Sequence, residues 1–464
     1  MRRHATTLCA LLLGACAMTA PPRQRAPNIL YVMIDDLGWM DLACQGNARL
    51  ETPNIDRLAR EGTRFTDAYA AAPVCSPTRA AAVTGLAPAR LGITNHIPDS
   101  PRFTPKDAPL APARCEDHLA LEYVTIAERL HEAGYRTGHI GKWHLCGDWT
   151  PRDGGKGDER YLPDRQGFDV NIAGCARGGP TTYFDPYDIY SLPDRKPGEY
   201  LPDRLADEAI AFIESAHRRG PFYLQLWTYT VHWPMEAPAE LVEKYRTRTG
   251  PGLKDARYGA MIEALDSALG RVFACLDRLG IRDDTLVVFT SDNGGFTGVA
   301  DNRPLRAGKG YLYEGGIRVP MIVRWPGVVR SGCVSSEPVM TTDLYPTFLD
   351  VAGLAVDPSD PLEGVDLMPS LRGTGSCGAR SLFFHYPNYA FHQGNRLGSA
   401  VRTGSYKAIL DYDDGSTELY DLSMDIGEEH DLAARMPERV LTMRSALEDW
   451  LKRSGARQPT RRTE

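Results

Sequence analysis

The chain has 464 residues, 42% of them hydrophobic and 24% charged, a balance that lets a globular protein bury one large core or a large and a small one. Its formal net charge of −7 excludes nucleic acid as a partner, and an anionic substrate must instead be captured by a local cluster of cations.

The opening stretch, MRRHATTLCALLLGACAMTA, starts with Arg2 and Arg3, passes through an apolar run from Leu8 to Leu13 and ends among small residues around Cys16. Residues 1–20 read as a signal peptide, too short to persist as a membrane-spanning helix. "LLGAC" resembles a bacterial lipobox, in which Cys16 becomes the lipidated first residue of the mature chain; plain cleavage after Ala17 or Ala20 is the alternative. The expectation is export to the periplasm or outer membrane as a lipoprotein, or secretion, with a lipid anchor as the only membrane attachment. An exported compartment permits disulfides among Cys44, Cys115, Cys146, Cys175, Cys275, Cys333 and Cys377, but no pairing follows from the sequence, and no CxxC spacing suggests zinc.

From Pro27 strand-like and helix-like segments alternate. "NILYVMIDD" is an apolar run ending in two acids, "TPNIDRLAREG" is a helix between Pro53 and Gly62, and "YVTIAERLHEAGY" is another closed by Gly134. In "PVCSPTRAAAVTG", Ser76 is a candidate cap, Pro77 suits a first turn, Thr78 to Thr84 reads as helix and Gly85 ends it. Cys75 then sits at a helix N-terminus with Arg79 one turn on, an electropositive corner that favours a thiolate or an oxyanion in its place; a structural thiol or half a disulfide is the plainer reading. Further on come a helix around Leu205 to His217, the strand "PFYLQLWTYTVH", a helix from about Arg257 to Leu279 and the strand "TLVVFTSDNGG". Apolar strands separated by amphipathic helices predict an α/β fold, a largely parallel sheet covered on both faces.

Gly and Pro are dense from Thr150 to Pro202, read as a surface insertion, and from Ala352 to Ala379, read as a linker. Beyond it "SLFFHYP", "GSAVRTGSYKAIL" and "STELYDL" predict a small antiparallel sheet, and Pro437 to Lys452 a helix packed on it. The expected organisation is a main domain over 26–375 and a C-terminal subdomain over 376–456, with a frayed tail "RSGARQPTRRTE".

In an open parallel sheet, ligands gather beyond the carboxyl ends of the strands. Two predicted strands end there in acids, Asp35-Asp36 and Asp292-Asn293, a set of hard oxygen donors that suits calcium or magnesium. Three other segments bring cations and imidazoles to strand ends or loops. "HIGKWHLCG" carries Lys142 and His144, "YTVHWP" carries His232 at a strand end, and "RAGKGYLYEGGIRVP" carries Lys309 in a mobile glycine-flanked loop. With Arg79 they would form a cationic pocket beside a metal, suited to a tetrahedral oxyanion.

Taken in order, "NILYVMIDDLG", "CSPTR" followed by "TG", "GKWHL", "SDNGG" and "GKGYLYEGGIRVP" resemble the motif blocks of the formylglycine-dependent sulfatases of the alkaline phosphatase superfamily, across nearly the whole mature chain. Thr78 stands where the modification motif often has Ser. The resemblance implies an alkaline-phosphatase-like fold, with a large mixed, mostly parallel sheet and a small C-terminal antiparallel sheet with a helix. It also implies oxidation of Cys75 to formylglycine (3-oxoalanine) by a formylglycine-generating enzyme, and one calcium ion held by Asp35, Asp36, Asp292, Asn293 and the modified Cys75. Arg79 and Lys142 would hold the oxygens of the hydrated aldehyde, His144 its second hydroxyl, and His232 and Lys309 the sulfate and the leaving oxygen. One hydroxyl of the hydrate attacks sulfur; the other, deprotonated by His144, lets the carbonyl re-form and expel sulfate.

"RLGITNHIPD" resembles a segment of sulfatases that act on polysaccharides and glycosaminoglycans, so a sulfated carbohydrate is the expected substrate, with galactose or N-acetylgalactosamine sulfate the specific expectation. Candidate sugar contacts are His96, Asp99, the insertion "GGPTTYFDPYD", His385, Asn388, Asn395 and Arg396. The alternatives are a phosphonate or phosphodiester hydrolase of the same superfamily and a non-catalytic protein that binds sulfated glycans.

Overall fold

The apolar run after Pro27 folds as strand β1 (Asn28–Ile34), buried along its whole length in the computed structural model, which describes residues 26–462. The signal and lipidation readings of residues 1–20 and Cys16 lie outside the described residues. Successive side chains of a strand point to opposite faces, and here both faces are covered. Leu30, Val32 and Ile34 join one core, while Ile29, Tyr31 and Met33 join the other. Burial on both sides is why this strand reads as a continuous apolar run and not as an alternation.

The other strands are β2 (Thr63–Tyr69), β3 (Leu110–Ala111), β4 (Arg136–Gly141), β5 (Val170–Ile172), β6 (Phe222–Trp227), β7 (Thr285–Ser291), β8 (Arg318–Arg324), β9 (Cys333–Ser335), β10 (Val339–Met340), β11 (Ser381–Tyr386), β12 (Gly398–Thr403), β13 (Tyr406–Asp411), β14 (Thr417–Asp421) and β15 (Thr460–Arg461). The main sheet has the order β10-β2-β8-β7-β1-β6-β4-β5, with β9 beside β2. Strands β7, β1, β6, β4 and β5 are mutually parallel, and β8 is antiparallel to β7 and β2. Helices Pro53–Glu61, Leu201–Ala216 and Ala256–Arg278 cover one face; Cys75–Thr84, Ile126–Glu132 and Leu344–Ala352 cover the other. This is the expected α/β arrangement, and β11 to β14 form the expected antiparallel sheet. Helix Pro437–Arg453 packs on it through Met443, Leu447 and Trp450 against Val401, Ala408 and Leu419. No helix among the described residues is long and apolar enough to cross a membrane.

Four sequence readings change. The stretch from Thr150 to Pro202 contributes β5 to the main sheet and buries Tyr183 and Tyr187 in the core, so it is not a surface insertion. Its glycines and prolines hide the pattern, while single aromatic anchors hold it: Tyr183 OH donates to the carbonyls of Tyr229 and His232 at 2.5 and 2.9 Å. The linker Ala352 to Ala379 contains helix Met368–Arg372, with Leu367, Met368 and Leu371 buried. The strand expected to reach His232 stops at Trp227, because the chain there turns over the end of β1: Asp35 N–H donates to Thr230 O at 3.1 Å and Val231 N–H to Asp35 O at 2.7 Å. Among the described residues the tail is held and not frayed, since β15 joins β3.

Candidate active site

Strands β7, β1, β6 and β4 lie side by side and parallel, so their carboxyl ends share one edge. Ile34 is in register with Ser291, and Gly141 with Trp227. The residues that follow, Asp35-Asp36, Asp292-Asn293 and Lys142, therefore emerge together. Lys142 is tied in by its own N–H, which donates to Trp227 O at 2.7 Å. Asp36 and His144 both adopt φ near 62°, in the left-handed region that non-glycine residues seldom occupy.

Helix Cys75–Thr84 points its N-terminus at this edge. Val74 occupies the cap position with no side-chain cap bond, so Ser76 is not the cap expected from the sequence, and Cys75 is the first helical residue. Thr78 does the anchoring: its hydroxyl accepts from Ala72 N–H and donates to Ala72 O, both at 3.1 Å, which pins the loop to the first turn. Ser76 Oγ accepts from Ile97 N–H at 3.0 Å and lies 3.2 Å from His144 Nδ1. At the other end, Gly85 takes φ 70° and its N–H returns to Ala81 O. The electropositive corner does not make a thiolate, because burial pushes the Cys75 thiol up against the pull of Lys142 and Lys309.

Each carboxylate has its own cation. Arg79 donates from Nε and Nη2 to Asp292 Oδ2 at 3.0 and 2.7 Å, and from Nη1 to Lys142 O at 2.8 Å. Lys142 Nζ donates to Asp35 Oδ2 at 2.6 Å. Lys309 Nζ lies 2.8 Å from Asp36 Oδ2 and 2.7 Å from Oδ1. Lys309 is buried, and its N–H donates to Gly295 O at 3.1 Å, so its loop is packed and not the mobile loop the glycines suggested. Burial and the neighbouring Asp292 push Asp35 well above the carboxylate range in spite of Lys142. Burial acts the same way on Asp36, but Lys309, His232 and Lys142 outweigh it and hold that carboxyl low.

The two histidines are fixed by backbone carbonyls. His144 Nε2 bonds to Ile97 O, which only accepts, so Nε2 carries the hydrogen and Nδ1, 3.4 Å from Cys75 Sγ, is the free base. Burial and Lys142 hold it well below the ordinary histidine range. His232 Nδ1 donates to Trp233 O at 2.8 Å and leaves Nε2 3.8 Å from Asp36 Oδ2; burial and Lys309 lower it to about 3. Gly178 and Gly179 press on these rings: a Cβ at Gly178 would lie 2.8 Å from His144 Cε1, and one at Gly179 2.6 Å from His232 Nδ1.

The donor set fits a hard divalent cation. Asp35 Oδ1 and Asn293 Oδ1 are buried with no hydrogen-bond partner, beside the Asp36 and Asp292 carboxylates. Orphaned buried oxygens of this kind are costly unless something binds them, and an oxygen-only set suits calcium or magnesium.

A cavity of about 590 Å³ opens over Asp36, Cys75, His144, His232 and Lys309. Of the candidate sugar contacts only His96 and the glycines of "GGPTTYFDPYD" line it. Asp99, Asn388 and Asn395 are spent on scaffold bonds to Asn95, Ala113 and Ala390. His385 is buried between Ser399 and Arg457, and Arg396 pairs with Asp411. Phe391, within the candidate stretch "FFHYPNYAFHQGNR", also lines the cavity, whereas sequence reasoning missed the other aromatic walls, Phe103, Trp149, Trp233 and Phe296, and the rim cation Arg102. Only Trp233, next to His232, carried a positional signal. All eight cysteines among the described residues are unpaired.

The sulfatase family model matches residues 27–354, and the model described as N-sulphoglucosamine sulphohydrolase, C-terminal, matches 307–454. N-acetylgalactosamine-6-sulfatase of Mus musculus is 33% identical, over 86% of this chain and 75% of its own. Arylsulfatase A of Homo sapiens is 34% identical, over 91% and 86%. The crystal structure of Ps i-CgsB in complex with k-i-k-neocarrahexaose superposes with a TM-score of 0.77 at 29% identity, covering 92% of this chain and 93% of that one. The chain thus belongs to the sulfatase family of the alkaline phosphatase superfamily, and is a sulfuric ester hydrolase.

Proposed function

We propose that this enzyme hydrolyses sulfate esters of carbohydrates, with Cys75 converted to formylglycine by a formylglycine-generating enzyme and one calcium ion held by Asp35, Asp36, Asp292, Asn293 and the modified Cys75. The observation that carries this reading is Cys75 at the floor of the cavity, 3.4 Å from the unprotonated nitrogen of His144 and beside a carboxylate set with orphaned oxygens. Support for a sugar substrate comes from N-acetylgalactosamine-6-sulfatase and from the oligosaccharide named with Ps i-CgsB.

Calcium and the hydrated aldehyde would supply a nucleophilic oxygen at neutral pH together with a second hydroxyl through which sulfate can leave. The chain's own groups do the rest. Lys309, whose Nζ lies 2.8 Å from Asp36 Oδ2, would bind the sulfate of the entering ester, and His232, whose Nε2 stands 3.8 Å from the same oxygen, would join it once that nitrogen is protonated. Asp36 keeps the Lys309 ammonium protonated, so Lys309 is the group able to oppose charge on the departing oxygen, with His232 beside it. His144 Nδ1 would accept the proton at position 75. Arg79 and Lys142 hold Asp292 and Asp35 in place and add positive charge beneath position 75.

The test is expression with a formylglycine-generating enzyme, mass spectrometry of the peptide spanning Cys75 and Arg79, and a screen of defined sulfated sugars beside phosphate diesters. Sulfate release from a sugar by the modified protein is expected; faster turnover of phosphodiesters would overturn the assignment.

A further inference from the structure

Around the reaction centre the cavity is aromatic, and two of its residues remain unused by the chemistry. His96 lines the wall and packs on Phe103 at 4.9 Å between ring centroids. Its backbone N–H is held by Asn95 Oδ1 at 3.0 Å, so the ring is presented by a fixed loop. Neither ring nitrogen has a hydrogen-bond partner among the described residues, and Nδ1 is closed off from solvent. An unpaired buried acceptor is tolerated better than an unpaired buried N–H, so the hydrogen belongs on Nε2, the nitrogen left to a ligand. Burial, with Lys309, Lys142 and Arg102 nearby, keeps the ring neutral. A neutral imidazole N–H beside an apolar wall is a donor for a neutral oxygen, and adds no second anion site.

Trp233 is the second. The residue is 56% exposed at the cavity rim, while its carbonyl accepts from His232 Nδ1 at 2.8 Å. The bond that orients the catalytic imidazole therefore also ties down the backbone that carries this open aromatic side chain. Such a face suits the apolar C–H side of a pyranose, whose hydroxyls lie around its edge.

We propose that His96 and Trp233 select the leaving group as a sugar ring, Trp233 stacking on its C–H face and His96 Nε2–H donating to a hydroxyl or ring oxygen near the sulfated position. This rests on the proposed carbohydrate sulfatase activity and adds the residues that would recognise the ring. A hydrocarbon or aryl alcohol has no oxygen there for His96, so the two residues discriminate between substrates that share the same sulfate chemistry.

The experiment compares kcat/KM for monosulfated galactose and N-acetylgalactosamine with kcat/KM for para-nitrophenyl sulfate, in protein with Cys75 proven modified. His96→Phe should lower the sugar-to-aryl ratio about tenfold, the worth of one neutral hydrogen bond, and His96→Asn, which keeps a donor, should recover part of it. Trp233→Ala should raise KM for the sugar more than it lowers kcat. Circular dichroism and thermal unfolding of each variant report folding separately, and the His96→Asn and Trp233→Ala arms stand if His96→Phe does not fold. An unchanged ratio in every folded variant overturns the proposal. Turnover of the aryl sulfate but of no sugar sulfate overturns it too, while leaving sulfate ester hydrolysis intact; no turnover of either ester removes the activity on which it rests.

Discussion

Arg79 and Asp292 form a fully buried pair in which two guanidinium nitrogens, Nε and Nη2, converge on one carboxylate oxygen, Oδ2. The other oxygen, Oδ1, is left to accept the Asp36 N–H at 3.1 Å, and Arg79 Nη1 reaches Lys142 O. One side chain thus joins the helix bearing Cys75 to the ends of β7, β1 and β4. Arg79→Ala leaves Asp292 buried and unpaired and should cost about 3–5 kcal/mol in urea unfolding. Arg79→Lys keeps the charge but not the planar fork, so it should retain more stability yet lose at least about a hundredfold in kcat/KM.

Asp35 Oδ1 and Asn293 Oδ1 have no partner in the protein. Calcium should therefore raise the thermal midpoint, and chelation should lower it and abolish turnover until calcium is returned. Asp35→Asn should weaken the calcium-dependent shift measured by calorimetry even where the protein remains folded. A midpoint indifferent to calcium in the wild type would refute the metal assignment.

Gly179 sits where a Cβ would approach His232 Nδ1 to 2.6 Å, and that nitrogen is already committed to Trp233 O. Gly179→Ala should tilt the ring and lower kcat by roughly a hundredfold, the scale of a misplacement near one ångström. Because the glycine is half-buried in a loop, circular dichroism and the unfolding midpoint should change little.

His385 is buried between Ser399 Oγ and Arg457 O, and burial pushes it down to about 4. The unfolded chain takes up a proton near pH 6.5 and the folded one only near 4, so this residue's stabilisation is complete above 6.5 and is lost as pH falls through that window. Between pH 7 and pH 5 the loss should be on the order of 2 kcal/mol. His385→Gln should reduce the pH dependence of the urea unfolding free energy by that amount relative to the wild type.

Much of the site was legible because its residues are carried by short, strongly patterned segments. Asp35, Asp36, Asp292 and Asn293 each follow an apolar run that folds as a strand buried on both faces, so their common edge follows from the parallel topology. Cys75, Arg79, Lys142, His144 and Lys309 stand in motif blocks, and the structure brings all of them to that edge. His232 reached it by a route the pattern hid, because the apolar run from Phe222 to His232 includes a turn that only the pairing of Thr230 and Val231 with Asp35 imposes. His385, Asn388 and Asn395 looked like sugar contacts and are scaffold, since a polar side chain gives the same sequence signal whether its partner is a backbone carbonyl or a ligand.

The sequence by itself determined the α/β architecture, the oxygen-rich strand ends and the segments that carry the cations and imidazoles of the site, because hydrophobic periodicity and residue chemistry are local properties. Only the tertiary structure decided which ring nitrogen of His144 and of His232 is free, that the Cys75 thiol is pushed up and not ionised, and that an aromatic cavity stands over the cations. Each of these depends on the direction of a carbonyl, the loss of solvent or the meeting of distant loops, none of which is encoded at the position where its effect is felt.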